Sequence, residues 1–142
     1  DFEPRWTALA TVAANTQVHW GSMKIFKTFR FESAHFLPFV PEGHKCGRLH
    51  GHSFEVEIHV RGEVKEKEGW VMDFADIKSA FKPLLVSLDH RLLNDIEGLH
   101  NPTSENIALW IQSKLQKRLP ELSKIVVKET CTSGGELDLE EK

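Results

Sequence analysis

Hydrophobic and polar positions alternate most cleanly at residues 49–61, LHGHSFEVEIHVR. His50, His52, Phe54, Val56, Ile58 and Val60 share one parity, and Glu55, Glu57 and His59 take the other. That is the period of a strand with one buried face. Residues 24–36 repeat the pattern more loosely, with Ile25, Phe29, Phe31 and His35 in one phase. Between them, LPFVPEGHKCGR holds two Pro and two Gly and reads as a loop. GEVKEKEGW reads as a charged turn. The period then changes. Asp73 suits the N-cap of a helix carrying Phe74, Ile77 and Phe81, and Pro83 is expected to kink or end it. Residues 88–101 show no regular period. Thr103 opens a second helix with Ile107, Ile111 and Leu115 on its inner stripe, widened by Trp110. Lys114, Lys117 and Arg118 suit its C-terminal end, and Pro120 stops it. SKIVVKETC, residues 123–131, is a further strand. The tail GGELDLEEK is either a last strand, with Leu137 and Leu139 on one face, or a frayed end. This order implies an α+β domain, an antiparallel sheet covered on one face by two helices.

At 142 residues, the chain suits one domain and not two of ordinary size. A composition of 40% hydrophobic and 27% charged residues places it among globular proteins. No apolar run approaches the roughly 20 residues of a membrane span. The net charge of −3, from 18 basic against 21 acidic residues, gives no broad basic surface for nucleic acid. Two cysteines, Cys46 and Cys131, make no disulfide framework, which points to a reducing, cytoplasmic setting. Residues 1–22 differ in character from the rest of the chain and lack the features of a signal peptide. Met23 fits a native start, and the stretch before it reads as a leader, a tag or an extension that packs elsewhere. Residues 23–142 are then the domain.

The unusual count is histidine, eight in all. His50-Gly51-His52 places two imidazoles on one side of a strand, roughly 7 Å apart at Cα. His35 closes the preceding strand on the face its apolar partners mark as inner. If the strands pair, the three converge, and three His without a fourth protein ligand suit a catalytic zinc with one open position. Copper, nickel and iron also accept imidazole. An isolated His-x-His is otherwise ordinary polarity. His44 lies in the neighbouring loop as a companion or a substrate contact, and His19, His59 and His100 read as solvent-facing.

Cys46 precedes His50 by four residues. A thiol near a dication and imidazoles would be acidified and could exchange protons near neutral pH; it could also be a fourth ligand or an inert small residue. Asp89-His90 follows the first helix, where a turn would let the carboxylate orient the imidazole; otherwise Asp89 caps a turn and His90 is solvated. Glu129 shares the parity of Ile125 and Val127. A carboxylate on a buried face needs a partner, either two N–H donors of a pterin or guanine edge or a lysine such as Lys128. Thr103 and Ser104 are explained by capping and could also lend hydroxyls or amides to a ligand.

Together FESAHFLP, EGHKCGRLHGHSF, WVMDFADIK, LDHRLLND, NPTSEN and VKETCTSG resemble the 6-pyruvoyl-tetrahydropterin synthase superfamily. The short run CGRLHGH resembles more closely its 6-carboxy-tetrahydropterin synthase branch, of the queuosine pathway. The likeness runs from about Met23 to Gly134. It implies a tunnelling fold of four antiparallel strands and two helices, with subunits closing a β-barrel as a trimer or hexamer and active sites at subunit interfaces. It implies zinc on His35, His50 and His52, a catalytic Cys46, an Asp89–His90 relay and a pterin-anchoring Glu129, with Thr103 and Ser104 in a pterin-contacting motif. The implied reaction takes 7,8-dihydroneopterin triphosphate to 6-carboxy-5,6,7,8-tetrahydropterin, acetaldehyde and triphosphate. A pyruvoyl-type synthase on the same substrate, or a non-catalytic zinc-binding oligomer, are the alternatives. The acidic tail and residues 1–22 depart from the family pattern.

Overall fold

The computed structural model describes residues 22–140. The stretch set aside as a leader lies outside the described residues, as does His19, except that Ser22 already begins the first strand. Four strands form one antiparallel sheet in sequence order, β1 (Ser22–His35), β2 (His50–Glu63), β3 (Leu122–Thr130) and β4 (Ser133–Asp138). Two helices, α1 (Phe74–Leu88) and α2 (Ser104–Leu115), complete the domain. The α+β expectation holds, and the tail is a strand rather than a frayed end. Leu137 pairs with Ile125 and packs, with Leu139, against the core. None of the helices among the described residues is long and apolar enough to cross a membrane.

The period-two pattern sets the register. Phe29 lies opposite Val56, Phe31 opposite Phe54, Ser33 opposite His52 and His35 opposite His50. All four pairs share one face, because a one-residue slip would turn every side chain to the other side. Phe31 and Phe54 stack with centroids 4.9 Å apart. Phe29 meets Phe81 of α1 at 4.5 Å, which brings the helix onto that face. Ile77, Leu84 and Leu88 of α1 and Ile107, Ile111 and Leu115 of α2 are buried with them, each worth about 1.5–3 kcal/mol for leaving water.

Both N-caps form as expected. Asp73 accepts from Ala75 N at 2.8 Å and Thr103 from Asn106 N at 3.1 Å. Three expectations need correction. Of the two outcomes expected at Pro83, ending the helix does not occur, since α1 runs on to Leu88. An interior proline costs roughly 3 kcal/mol, and the burial of Leu84 and Leu88 beyond it offsets that. Phe74, at the first helical position, is exposed rather than on the inner stripe. Helix α2 ends at Leu115, well before Pro120, so only Lys114 lies in its last turn.

The segment after α1 is irregular, as its lack of period suggests, but it is tied to the sheet. The backbone N of His90 donates to Glu32 O at 2.6 Å and that of Ala34 to Arg91 O at 2.9 Å. Leu92 bridges Ala34 in parallel. This segment therefore covers the edge of β1 beside His35.

Candidate metal and proton-transfer site

The three histidines converge, as the strand register requires. The ring centroids of His35 and His50 are 4.6 Å apart, of His35 and His52 5.1 Å, and of His50 and His52 4.8 Å. One nitrogen from each lies within 4.8 Å of the others. Their second nitrogens show how they are held. His35 Nδ1 is 2.8 Å from Pro102 O, and His50 Nδ1 is 2.6 Å from Arg48 O. A carbonyl only accepts, so each Nδ1 carries the proton and each Nε2 keeps its lone pair, the arrangement a metal-ligating imidazole needs. His35 Nε2 is buried without a hydrogen-bond partner, which a cation would supply. Burial lowers the pKa of His35 and of His52, against the opposing pull of Glu129 on both, and so favours the neutral, ligating form. These residues fit a divalent metal.

Glu129 reaches the same group. Its two oxygens lie 3.9 Å from His35 Nε2 and 3.9 Å from His52 Nε2. The register between β3 and β4 shifts between Lys128 and Thr130, and such irregularities re-aim a side chain. The expected lysine alternative is not realised. Lys128 faces the other side of the sheet, 3.4 Å from both Glu55 and Glu57.

Asp89 and His90 do both things the sequence left open. Asp89 caps the end of α1. Its Oδ1 accepts from Glu32 N at 2.9 Å, and its Oδ2 lies 2.9 Å from His90 Nδ1. The Glu32 amide first, and His90 second, hold the Asp89 carboxyl below its ordinary range. His90 has φ of 56°, a left-handed conformation uncommon outside Gly, which lets adjacent side chains meet. Sequence reasoning missed the buried Ser33 beneath them. Its hydroxyl donates to Leu88 O and accepts from Arg91 N at 3.1 Å. Its phase with Phe31 and His35 was the available signal. A cavity of about 600 Å³ is bordered by Glu32, Ser33, His52, His90 and Arg91. A second, of about 540 Å³, is bordered by His52, Glu129 and Cys131 among others. His52 thus stands between the Asp89–His90 pair and the Glu129 carboxylate.

Other candidates are placed differently. Cys46 lies in a short 3-10 turn, Lys45–Gly47, and borders neither cavity. Its carbonyl accepts from Leu37 N at 2.8 Å, which fastens the loop close to His35. His44 is exposed and accepts from Cys46 N at 3.0 Å. Thr103 and Ser104 cap and begin α2, and neither borders the cavities. His100 is exposed. His59 is on the outer face as expected but is not simply solvated, since it stacks on Phe26 at 5.0 Å and pairs with Glu57 at 2.9 Å.

Comparison with known proteins agrees with this geometry. The chain is 48% identical over 117 residues to a Synechocystis protein named 6-carboxy-5,6,7,8-tetrahydropterin synthase, covering 78% of this chain and 89% of that one. It is 43% identical over 90 residues to a Pyrococcus furiosus protein named dihydroneopterin monophosphate aldolase, covering 63% of this chain and 72% of that one. The Caenorhabditis elegans 6-pyruvoyl tetrahydropterin synthase structure superposes with a TM-score of 0.77 at 27% identity, over 84% of this chain and 96% of that one. Residues 24–140, which carry the three histidines, Asp89, His90 and Glu129, match the family described as 6-pyruvoyl tetrahydropterin synthase, and the chain belongs to that family.

Proposed function

We propose that this pterin lyase converts 7,8-dihydroneopterin triphosphate to 6-carboxy-5,6,7,8-tetrahydropterin, acetaldehyde and triphosphate, with zinc as its metal, in the cytoplasmic synthesis of queuosine. The observation that carries the reading is the shared position of His52. It belongs to a group of three imidazoles that could hold a metal and also borders the cavity of the carboxylate-oriented His90. The 48% identical Synechocystis relative supports the carboxy product over the pyruvoyl one.

In this reading His35, His50 and His52 hold the zinc, which when bound supplies Lewis acidity toward the side-chain oxygens of the substrate. Asp89 fixes the His90 tautomer by accepting at Nδ1, which leaves Nε2 to take or give a proton. Cys46 is the second proton carrier. Glu129 accepts two N–H donors of the pterin edge, and Thr103 and Ser104 contribute at the start of α2. Proton moves between the side chain and the ring shift oxidation level within one molecule, so no nicotinamide is needed. Side-chain cleavage and loss of triphosphate, with one solvent water consumed, complete the reaction. The working unit is a homo-oligomer, a trimer or hexamer closed through the strand edges.

The test is a product assay on zinc-loaded protein with dihydroneopterin triphosphate, read by mass spectrometry. Carboxy-tetrahydropterin with acetaldehyde is expected. A pyruvoyl product, or cleavage of the kind the name of the Pyrococcus relative describes, would replace this reading with that one. Zinc bound without turnover would point to a non-catalytic scaffold. Cys46→Ala is expected to keep its zinc and lose turnover, and full activity in that variant would remove Cys46 from the mechanism.

A further inference from the structure

One oxygen of the Glu129 carboxylate points at a nitrogen that has no proton for it. His35 Nδ1 gives its proton to Pro102 O at 2.8 Å, so Nε2 presents a lone pair to Glu129 Oε1 at 3.9 Å. That nitrogen is buried and lacks a hydrogen-bond partner. The second oxygen lies 3.9 Å from His52 Nε2. The distance is too long for a hydrogen bond, and lone pairs facing each other in a poorly solvated pocket repel unless a cation lies between them. The nearby cations are engaged elsewhere, Lys128 by Glu55 and Glu57 and Arg30 by Glu55. Donors around a four-coordinate zinc lie about 3.4 Å apart. The observed separation is roughly half an ångström longer, within reach of a small rotation of the Glu129 side chain.

We propose that Glu129 is the fourth protein donor of the metal centre when no substrate is bound. The inference rests on reading the triad as a metal site. The carboxylate then occupies the position the substrate oxygens need. A heterocycle edge with two adjacent N–H donors competes for the same carboxylate and draws it off the metal. Ring recognition and opening of the metal position become one event, so a ligand without that edge meets a closed centre.

The test uses the cobalt-loaded protein, whose visible absorption reports coordination, titrated with imidazole as a neutral ligand. The wild type is expected to resist. Glu129→Gln is expected to take up imidazole at roughly tenfold lower concentration and to hold Co2+ about tenfold more weakly in chelator competition. Glu129→Asp keeps the charge on a shorter arm and is expected to behave as the Gln variant. Equal titrations and equal Co2+ affinity in wild type and Glu129→Gln would overturn the proposal and leave the triad standing, as would an Asp variant indistinguishable from wild type. The triad has its own control, since His50→Ala is expected to lose Co2+. Unchanged affinity there would overturn the metal site itself.

Discussion

His35 Nδ1 donates to the carbonyl of Pro102, 67 residues further along the chain, at 2.8 Å. That carbonyl belongs to the residue before the N-cap of α2. The start of a helix therefore sets the tautomer of the last side chain of a strand. His35→Ala removes a metal donor and leaves a buried carbonyl without its partner. Metal affinity is expected to fall by roughly a hundredfold or more, and folding stability by about 1–3 kcal/mol. Chelator competition and urea unfolding read the two effects separately.

Ser33→Ala tests whether Asp89 and His90 are held in place by the hydroxyl beside them. The substitution strips Leu88 O of its donor and Arg91 N of its acceptor, on either side of Asp89 and His90. The expected loss is about 1–3 kcal/mol of stability, with a fall in kcat larger than any change in KM. An unchanged kcat would show that Ser33 serves the fold alone.

Asp89 supplies a dependence on pH. Its pKa is lowered in the folded chain, so the folded state binds this proton more weakly than the unfolded state. The resulting stabilisation is complete above the ordinary aspartate range and is lost as pH falls through and below it. Asp89→Asn keeps an acceptor for Glu32 N but removes the charge. Its acid-unfolding curve is expected to be shallower than that of the wild type at about pH 3 to 5, measured by circular dichroism. Superimposable curves would show that the Asp89 contacts carry no linkage.

The β3–β4 turn offers a paired test of backbone approach. A Cβ on Gly134 would lie 2.5 Å from Val127 O and 2.9 Å from Lys128 Cα, whereas one on Gly135 meets nothing within 4 Å. Gly134→Ala is expected to cost about 1–3 kcal/mol by forcing the strands apart, and Gly135→Ala much less. Thermal unfolding of the two variants decides, and equal melting points would contradict the close contact.

The elements legible in the sequence are those in which one side-chain period runs unbroken. Residues 50–60 alternate without a gap, so β2 and the shared face of His50 and His52 follow from local pattern. His35 could be added because its phase matches Phe29 and Phe31. Pro83 shows where local rules fail, since only the burial of Leu84 and Leu88 against distant residues decides that α1 continues. Glu129 could be placed on the inner face by its parity with Ile125 and Val127, but its 3.9 Å approach to His35 and His52 depends on how β3 pairs, which alternation does not give. The carbonyls of Arg48 and Pro102 carry no side-chain signature at all. Cys46 is the reverse case, conspicuous in the sequence yet bordering neither of the two cavities beside His52.

The pairing of His35 with His50 means that the ends of the 36–49 loop are joined by the strand ladder itself. Leu37 N and Cys46 O tie the same loop again. The entropy of bringing His35 to the His50-Gly51-His52 pair is thus already spent by the sheet. A metal here has no chain to gather, unlike one that organises a zinc finger, where binding and folding are a single event. It adds stability only by mass action, rising with the logarithm of metal concentration. Its arrival and departure would leave the domain assembled, so that one divalent ion could be exchanged for another without unfolding.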